Sequence, residues 1–152
     1  MDINNNELTI KNILDEWSSD SAIDELKITF ELTNTPRLHA KYLRYYHTFK
    51  SSLIESNALK NKLLYIKRKY YRGELTKSDL DKYNWNQYEG LKMSSSEFNN
   101  FIETDPDVIK ATKRIEDMEL AVKSLEYILK DIGNRNLSIK SIIEYKKFLN
   151  GN

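Results

Sequence analysis

Apolar residues along this chain recur mostly at intervals of three and four, the spacing of one face of an α-helix. From Glu7 to Trp17, the positions Leu8, Ile13, Leu14 and Trp17 mark a short amphipathic helix. Between Ile23 and Leu32 the run Ile28-Thr29-Phe30 suits a strand as well as a helix. Helix is the better reading, because no partner strand is legible elsewhere. Thr35-Pro36 reads either as a cap with proline in a first helical turn or as a kink inside a longer helix.

Arg37 to Arg72 then reads as one long helix. Its stripe is Leu38, Tyr42, Tyr45 and Phe49, weakens at Ser52 and Ser56, and resumes at Leu59, Leu63, Ile66 and Tyr70. Gly73 ends it as a left-handed cap. Thr76 to Asp79 has the form of a capping box before a helical turn. Tyr83 to Lys92 is an aromatic loop with Gly90 as its hinge, and Ser94 to Glu103 is a short helix with Phe98, Phe101 and Ile102 on one side.

Asp105-Pro106-Asp107 is a strong helix start, an Asx cap followed by proline and an acid. It opens a seam of Val108, Ala111, Ile115, Met118, Val122, Leu125, Leu129 and Ile132 at heptad spacing, the mark of helix pairing. Gly133-Asn134 interrupts the seam, and a last helix from Ser138 to Leu149 turns Ile139, Ile142, Ile143 and Phe148 inward. The predicted fold is all-α, two long amphipathic helices plus several short ones, in a single domain over residues 1–152. Acidic helices occupy 1–34, the long basic helix 35–73, a loop and short helices 74–104, and the heptad and final helices 105–152. Faces of this length are expected to be shared between copies of the chain in a homo-oligomer, although a monomeric antiparallel bundle satisfies the same pattern.

Composition narrows the function. With 152 residues, 4 Gly and 2 Pro, the chain is long enough for a real core, and no stretch of ~18 apolar residues is available to span a membrane. The absence of cysteine excludes disulfides, thiol catalysis and thiolate metal sites. The opening MDINNNELTIKN lacks the pattern of a signal peptide, which fits a cytoplasmic protein. The formal net charge of +1 conceals a strong asymmetry. Residues 1–35 carry 8 acids and 2 bases, residues 37–77 carry 11 bases and only Glu55 and Glu74, and residues 78–152 carry 11 bases and 13 acids.

The basic segment culminates in LLYIKRKYYRGEL, residues 63–75. On a helix, Leu63, Ile66 and Tyr70 share the buried stripe, Tyr71 lies at its edge, and Tyr65 points to the polar side. Lys62, Arg68, Lys69 and Arg72 surround Tyr65 at helical spacing. Lys60 and Lys67 form a second row, and Lys41 and Arg44 extend the basic character toward the start of the helix. No acid between residues 56 and 73 relieves the repulsion among these cations. A phosphate backbone would, and an outward aromatic ring among cations is a stacking platform for single-stranded bases. The same pattern also fits a solvated face whose acid partners come from residues 1–35, or a scaffolding helix that docks on an acidic protein. Duplex reading lacks an obvious base-edge set, no short helix pair of helix-turn-helix form precedes the segment, and a membrane-surface role would need the apolar face already used for packing.

Other candidate chemistry is thin. His39 and His47 stand too far apart for a shared metal, and the pairs Asp79/Asp81 and Asp105/Asp107 are explained by helix capping. Neither a phosphate-binding glycine loop nor a nucleophile elbow is present. No enzyme, cofactor or metal site is expected.

The order of landmarks resembles the UvsY family, the recombination mediators of T-even-type phages. They are TPRLHAKYL at 35–43, YYRGEL at 70–75 behind a basic run, IETDPDVIK at 102–110, and NRNLSIKSIIEYKKFLNG at 134–151. The likeness runs from about Ala22 to Gly151. It implies a non-enzymatic protein that binds single-stranded DNA and helps load a RecA-like recombinase onto strands covered by a single-stranded-DNA-binding coat protein, in the infected host cell. It also implies rings of six or seven subunits assembled through the C-terminal region, with Val108, Ile115, Met118, Val122, Leu125, Leu129 and Ile132 at or near the contacts. A Leu-Lys-Ala-Arg stretch associated with DNA binding in the family falls here on Leu64, Tyr65, Ile66 and Lys67. One cation survives in register, and Arg68 and Lys69 add two just beyond it.

Overall fold

A computed structural model describes residues 9–90 and 94–151. Among them lie five helices and no strand: α1 (Ile10–Asp20), α2 (Ile28–Tyr71), α3 (Lys77–Tyr83), α4 (Ser95–Glu103) and α5 (Pro106–Leu149). The all-α expectation with two long helices holds, and both long helices are longer than expected. Their contacts divide the chain into two compact units, one of residues 1–49 and 120–152, the other of residues 50–119.

In the first unit α1 packs on the first half of α2 and the later part of α5. Thr9 caps α1, its hydroxyl accepting from the Asn12 amide at 3.2 Å; Glu7 and Leu8, expected to open this helix, lie outside the described residues. The core is Ile13, Leu38, Tyr42, Leu125, Ile128 and Ile132, with Trp17, Tyr45, Phe49 and Leu129 packed against it. Tyr42 is fully enclosed and meets Trp17 edge-on, ring centroids 5.2 Å apart. Its hydroxyl donates to Asp20 at 3.0 Å, so the polar tip of this large core residue is satisfied.

Only the last part of the Ile23–Leu32 segment is helical. Asp24 accepts from the Leu26 amide at 2.9 Å, a local turn that competes with helix, and α2 begins at Ile28. The turn is held by Arg135 of α5, which donates to the carbonyls of Ser21 at 2.7 Å and Ala22 at 2.8 Å and to the Glu31 carboxylate at 2.7 Å. Pro36 lies inside α2 rather than at its start. In the turns before it, the Thr33 hydroxyl donates to the carbonyls of Thr29 and Phe30, and the Thr35 hydroxyl to that of Glu31.

Gly133-Asn134 does not interrupt α5, a correction with a clear cause. Ile132, Arg135 and Ile139 keep one face buried across the junction. Burial of three such side chains outweighs the ~1 kcal/mol that glycine costs a helix interior. The expected separate last helix is therefore the end of α5. Phe148, expected inward, is 77% exposed. Nine residues beyond Ile139, it points to the opposite side of the helix, and Lys146 takes the inner position instead, bonding to the Glu25 carbonyl at 2.8 Å.

In the second unit α2 ends as expected. Gly73 has φ of 71°, its amide bonds to the Tyr70 carbonyl, and the Glu74 amide reaches back to Lys69, a Schellman cap. Thr76 and Asp79 form the expected capping box on α3, and Ser94 and Glu97 form another on α4. Trp85 to Gly90 lie outside any helix, while Leu91 and Lys92, assigned to the same loop, lie outside the described residues. Asp105 caps α5, its Oδ1 accepting from the amides of Asp107 at 2.9 Å and Val108 at 3.3 Å.

The heptad seam is already covered within one chain. Val108, Ile115, Val122, Leu125 and Ile132 are buried, and Met118 and Leu129 are half-buried. The large apolar side chains that α5 leaves exposed are others, among them Leu137, Tyr145, Phe148 and Leu149.

Candidate nucleic-acid interface

The last turns of α2, in the second unit, carry most of the expected site. Tyr65 is 59% exposed, on the polar side where helical phase placed it. The Lys69 ammonium stands 4.9 Å from its ring centroid, and hydrogen bonding to Tyr65 raises the pKa of Lys69. Lys62, Arg68 and Arg72 are exposed, and Lys60 is half-buried. Arg72 lies over the Phe98 ring of α4 at 5.0 Å, which orients the guanidinium plane while leaving its charge unmatched. Among the described residues, none of Lys60, Lys62, Arg68, Lys69 and Arg72 lies within ion-pair distance of a carboxylate.

Two of the expected cations have a different situation. Lys67 is 6% exposed, and its ammonium meets Asp105 at 2.9 Å and Asp107 at 2.7 Å, with Trp85 4.3 Å beneath it. Burial disfavours its charge, but bonds to Asp107 and Asp105 prevail and the pKa is raised. Tyr71 is half-buried and donates to Asp105 Oδ2. Both residues are therefore occupied in joining α2 to the start of α5. Capping explained Asp105 at the sequence level, and its second oxygen, which receives Lys67 and Tyr71, was missed. No local signal announced it, since these partners lie more than thirty positions away.

Lys41 belongs to the first unit and is matched as well, by Glu16 at 2.6 Å and Asp20 at 2.5 Å. Here residues 1–35 do supply the acids, as a solvated-face reading expects. Arg44 is exposed and makes no ion pair among the described residues.

Around Lys67 the second unit gathers an aromatic cluster. Tyr70 lies 5.0 Å from both Tyr71 and Trp85, Tyr71 lies 5.0 Å from Phe101, and Trp85 stacks on Tyr83 at an interplanar angle of 28°. This cluster fixes the end of α2, and hence the direction of the exposed cations one face away.

A groove of about 650 Å³ runs beside that cationic face, lined by Lys60, Leu64 and Arg68 of α2, Ile102 of α4, and Ile109 and Lys113 of α5, among others. A smaller one of about 320 Å³ adjoins it and includes Lys60, Lys110 and Arg114. Lys110, Lys113 and Arg114 are exposed and unpaired among the described residues. They escaped notice because the 13 acids of residues 78–152 hide them in the segment's net charge.

Among the described residues the fold is all-α, and the end of its first long helix sets exposed cations beside an aromatic cluster. Residues 16–152 match the family model described as "Recombination, repair and ssDNA binding protein UvsY", and the chain belongs to the UvsY family. It is 24% identical over 141 residues to the recombination protein uvsY of Enterobacteria phage T4, covering 93% of this chain and 97% of that one. Two crystal structures of the bacteriophage T4 recombination mediator protein UvsY share its fold. The lattice type IV form gives a TM-score of 0.77 at 21% identity, covering 93% of this chain and 99% of that one. The lattice type II form gives 0.77 at 22% identity, covering 95% and 100%.

Proposed function

We propose that this protein is a single-stranded-DNA-binding recombination mediator. The observation that carries the reading is the outward Tyr65 ring amid Lys62, Arg68, Lys69 and Arg72, cations with no carboxylate partner among the described residues. Phosphates relieve the mutual repulsion of these charges, and a base stacks on the ring. Lys60 adds a further phosphate contact, and Arg44 is available on another part of α2. The protein acts by binding rather than by catalysis. Several copies, arranged as a ring of six or seven, hold a strand in a form that weakens a single-stranded-DNA-binding coat protein and favours nucleation of a RecA-like recombinase in the cytoplasm of the infected cell. Membership of a family described by recombination, repair and ssDNA binding supports this reading. The exposed Leu137, Tyr145, Phe148 and Leu149 support assembly, since large apolar groups clustered at one end of a helix mark contact surfaces.

Titration of an oligo-dT strand and an equally long duplex over a range of salt concentrations tests it. Engagement of about four phosphates per subunit gives log K against log salt a slope near −3 on single strands. A flat salt dependence, or preference for an acidic protein surface over the strand, overturns the reading in favour of a scaffolding role.

A further inference from the structure

We propose that the groove between α2, α4 and the start of α5 is a nucleobase-binding channel of the same interface, and that Lys110, Lys113 and Arg114 are phosphate contacts. The inference rests on the single-strand reading above and extends it from one helix to two.

The groove's floor is apolar. Leu64 is half-buried, Ile102 and Val108 are buried, and Ile109, which also lines the groove, is 52% exposed. Its volume of about 650 Å³ lies within the ~300–1,000 Å³ usual for small-ligand sites. The rim is cationic on both long helices. Lys60 and Arg68 stand on α2 and Lys113 on α5, while Lys110 and Arg114 continue the α5 rim around the adjoining groove, which shares Lys60. Asp107 borders that second groove but is consumed by Lys67, so it does not cancel these charges. Glu103 and Glu116 are the acids of the larger groove, two against its three cations Lys60, Arg68 and Lys113, and Lys110 and Arg114 add two more cations in the adjoining groove.

An apolar floor between unmatched cations suits a chain that is charged at its edge and flat and apolar along its bases. An acidic peptide would satisfy the rim as well, but the face continues directly onto Tyr65. At 100° per residue Tyr65 lies only 60° around α2 from Arg68, with Arg72 between them. A strand stacked on Tyr65 therefore reaches the groove without leaving the cationic surface. Its bases turn in against Leu64 and Ile109, and its phosphates pass between Arg68 and Lys113.

The experiment uses the full-length protein with an oligo-dT strand and a matched strand carrying abasic sites. Two variants are compared with wild type, Lys110→Ala/Lys113→Ala/Arg114→Ala and Ile109→Ser, each checked for unchanged thermal unfolding. The three α5 contacts, at roughly 0.7 each, steepen the wild-type slope from about −3 to about −5, and the triple variant returns it to about −3. Ile109→Ser weakens binding of oligo-dT and leaves the abasic strand unaffected, which separates a base contact from a general loss. If wild type binds with a steep slope but the triple variant keeps that slope, the channel is wrong and the α2 interface stands. If wild type shows no salt-dependent strand binding, the single-strand reading itself fails. Variants that keep the strand but lose a poly-glutamate peptide reveal a protein-docking groove and overturn the proposal.

Discussion

The Lys67 ammonium and the Asp105 carboxylate lie 2.9 Å apart with both side chains almost fully enclosed. Asp105 caps α5 with one oxygen and receives Lys67 and Tyr71 with the other, so a single carboxylate joins the two long helices within the second unit. Removing one member of such a pair leaves an uncompensated buried charge. Lys67→Met and Asp105→Ala each destabilise that unit by about 3–5 kcal/mol, with Asp105→Ala the more severe because the cap is lost too. Chemical denaturation measures the loss. Under conditions where Lys67→Met stays folded, its salt slope for oligo-dT equals that of wild type, whereas Arg68→Ala lowers the slope.

The same network gives stability a defined pH dependence. Burial alone raises the Asp105 pKa, but hydrogen bonds from Tyr71 and Lys67 outweigh it and the carboxyl titrates below its ordinary 3.8. Its contribution is complete above that value and disappears as pH falls through the lower folded-state pKa. Lys67 and Tyr71 have raised values, from 10.5 and 10.0, so their contributions are complete at neutral pH and decline as pH rises beyond about 10. Denaturation midpoints measured across the pH range check both limbs. Tyr71→Phe removes the tyrosine share of the alkaline decline.

Tyr65 separates binding from folding. Because its ring is exposed, Tyr65→Ala leaves the melting temperature unchanged while weakening oligo-dT binding by roughly 1–3 kcal/mol. Tyr65→Phe keeps most of the affinity, since stacking needs the ring and not the hydroxyl. Fluorescence titration beside thermal unfolding distinguishes these outcomes from a core role.

Arg135 holds the first unit's entry turn through a planar fork, contacting two carbonyls and Glu31. Arg135→Ala costs about 3–5 kcal/mol by stranding the buried Glu31 carboxylate. Arg135→Lys rescues little, because one ammonium cannot reproduce the three directed bonds. Glu31→Gln, which keeps shape and an acceptor, is milder. Comparison of the three in urea ranks them.

Two glycines respond in opposite directions. At Gly73, φ of 71° strains any side chain, so Gly73→Ala destabilises by about 1–2 kcal/mol. At Gly133 the backbone is helical and an added methyl meets nothing within 4 Å, so Gly133→Ala stabilises by about 0.5–1 kcal/mol. Thermal unfolding of the two variants gives shifts of opposite sign.

Local order was legible wherever the physics is local. The left-handed Gly73, the Thr76 capping box and the Asp105 cap each depend on residues within a few positions, and each is found as the spacing indicates. Tyr65 pointing outward is of the same kind, because helical phase alone sets it. The stripe along α2 holds at Leu38 and Tyr42 but fails at Leu59, which is 58% exposed while Leu53 and Ser56 are buried. Where local propensity met long-range burial, burial prevailed. Gly133-Asn134 looks like a break until Ile132, Arg135 and Ile139 are seen buried on one face.

The sequence by itself determined the helical character of the chain, the concentration of cations before Gly73 and the face on which Tyr65 lies, since these follow from periodicity and charge. Tertiary structure alone decided which cations remain unmatched. Lys41 and Lys67 read as members of the same basic stretch as Lys62 and Arg68, yet carboxylates brought from α1 and from the start of α5 neutralise the first two and miss the others. A charge pair depends on separation in space, and residues distant along a chain are placed beside each other only when its apolar faces pack.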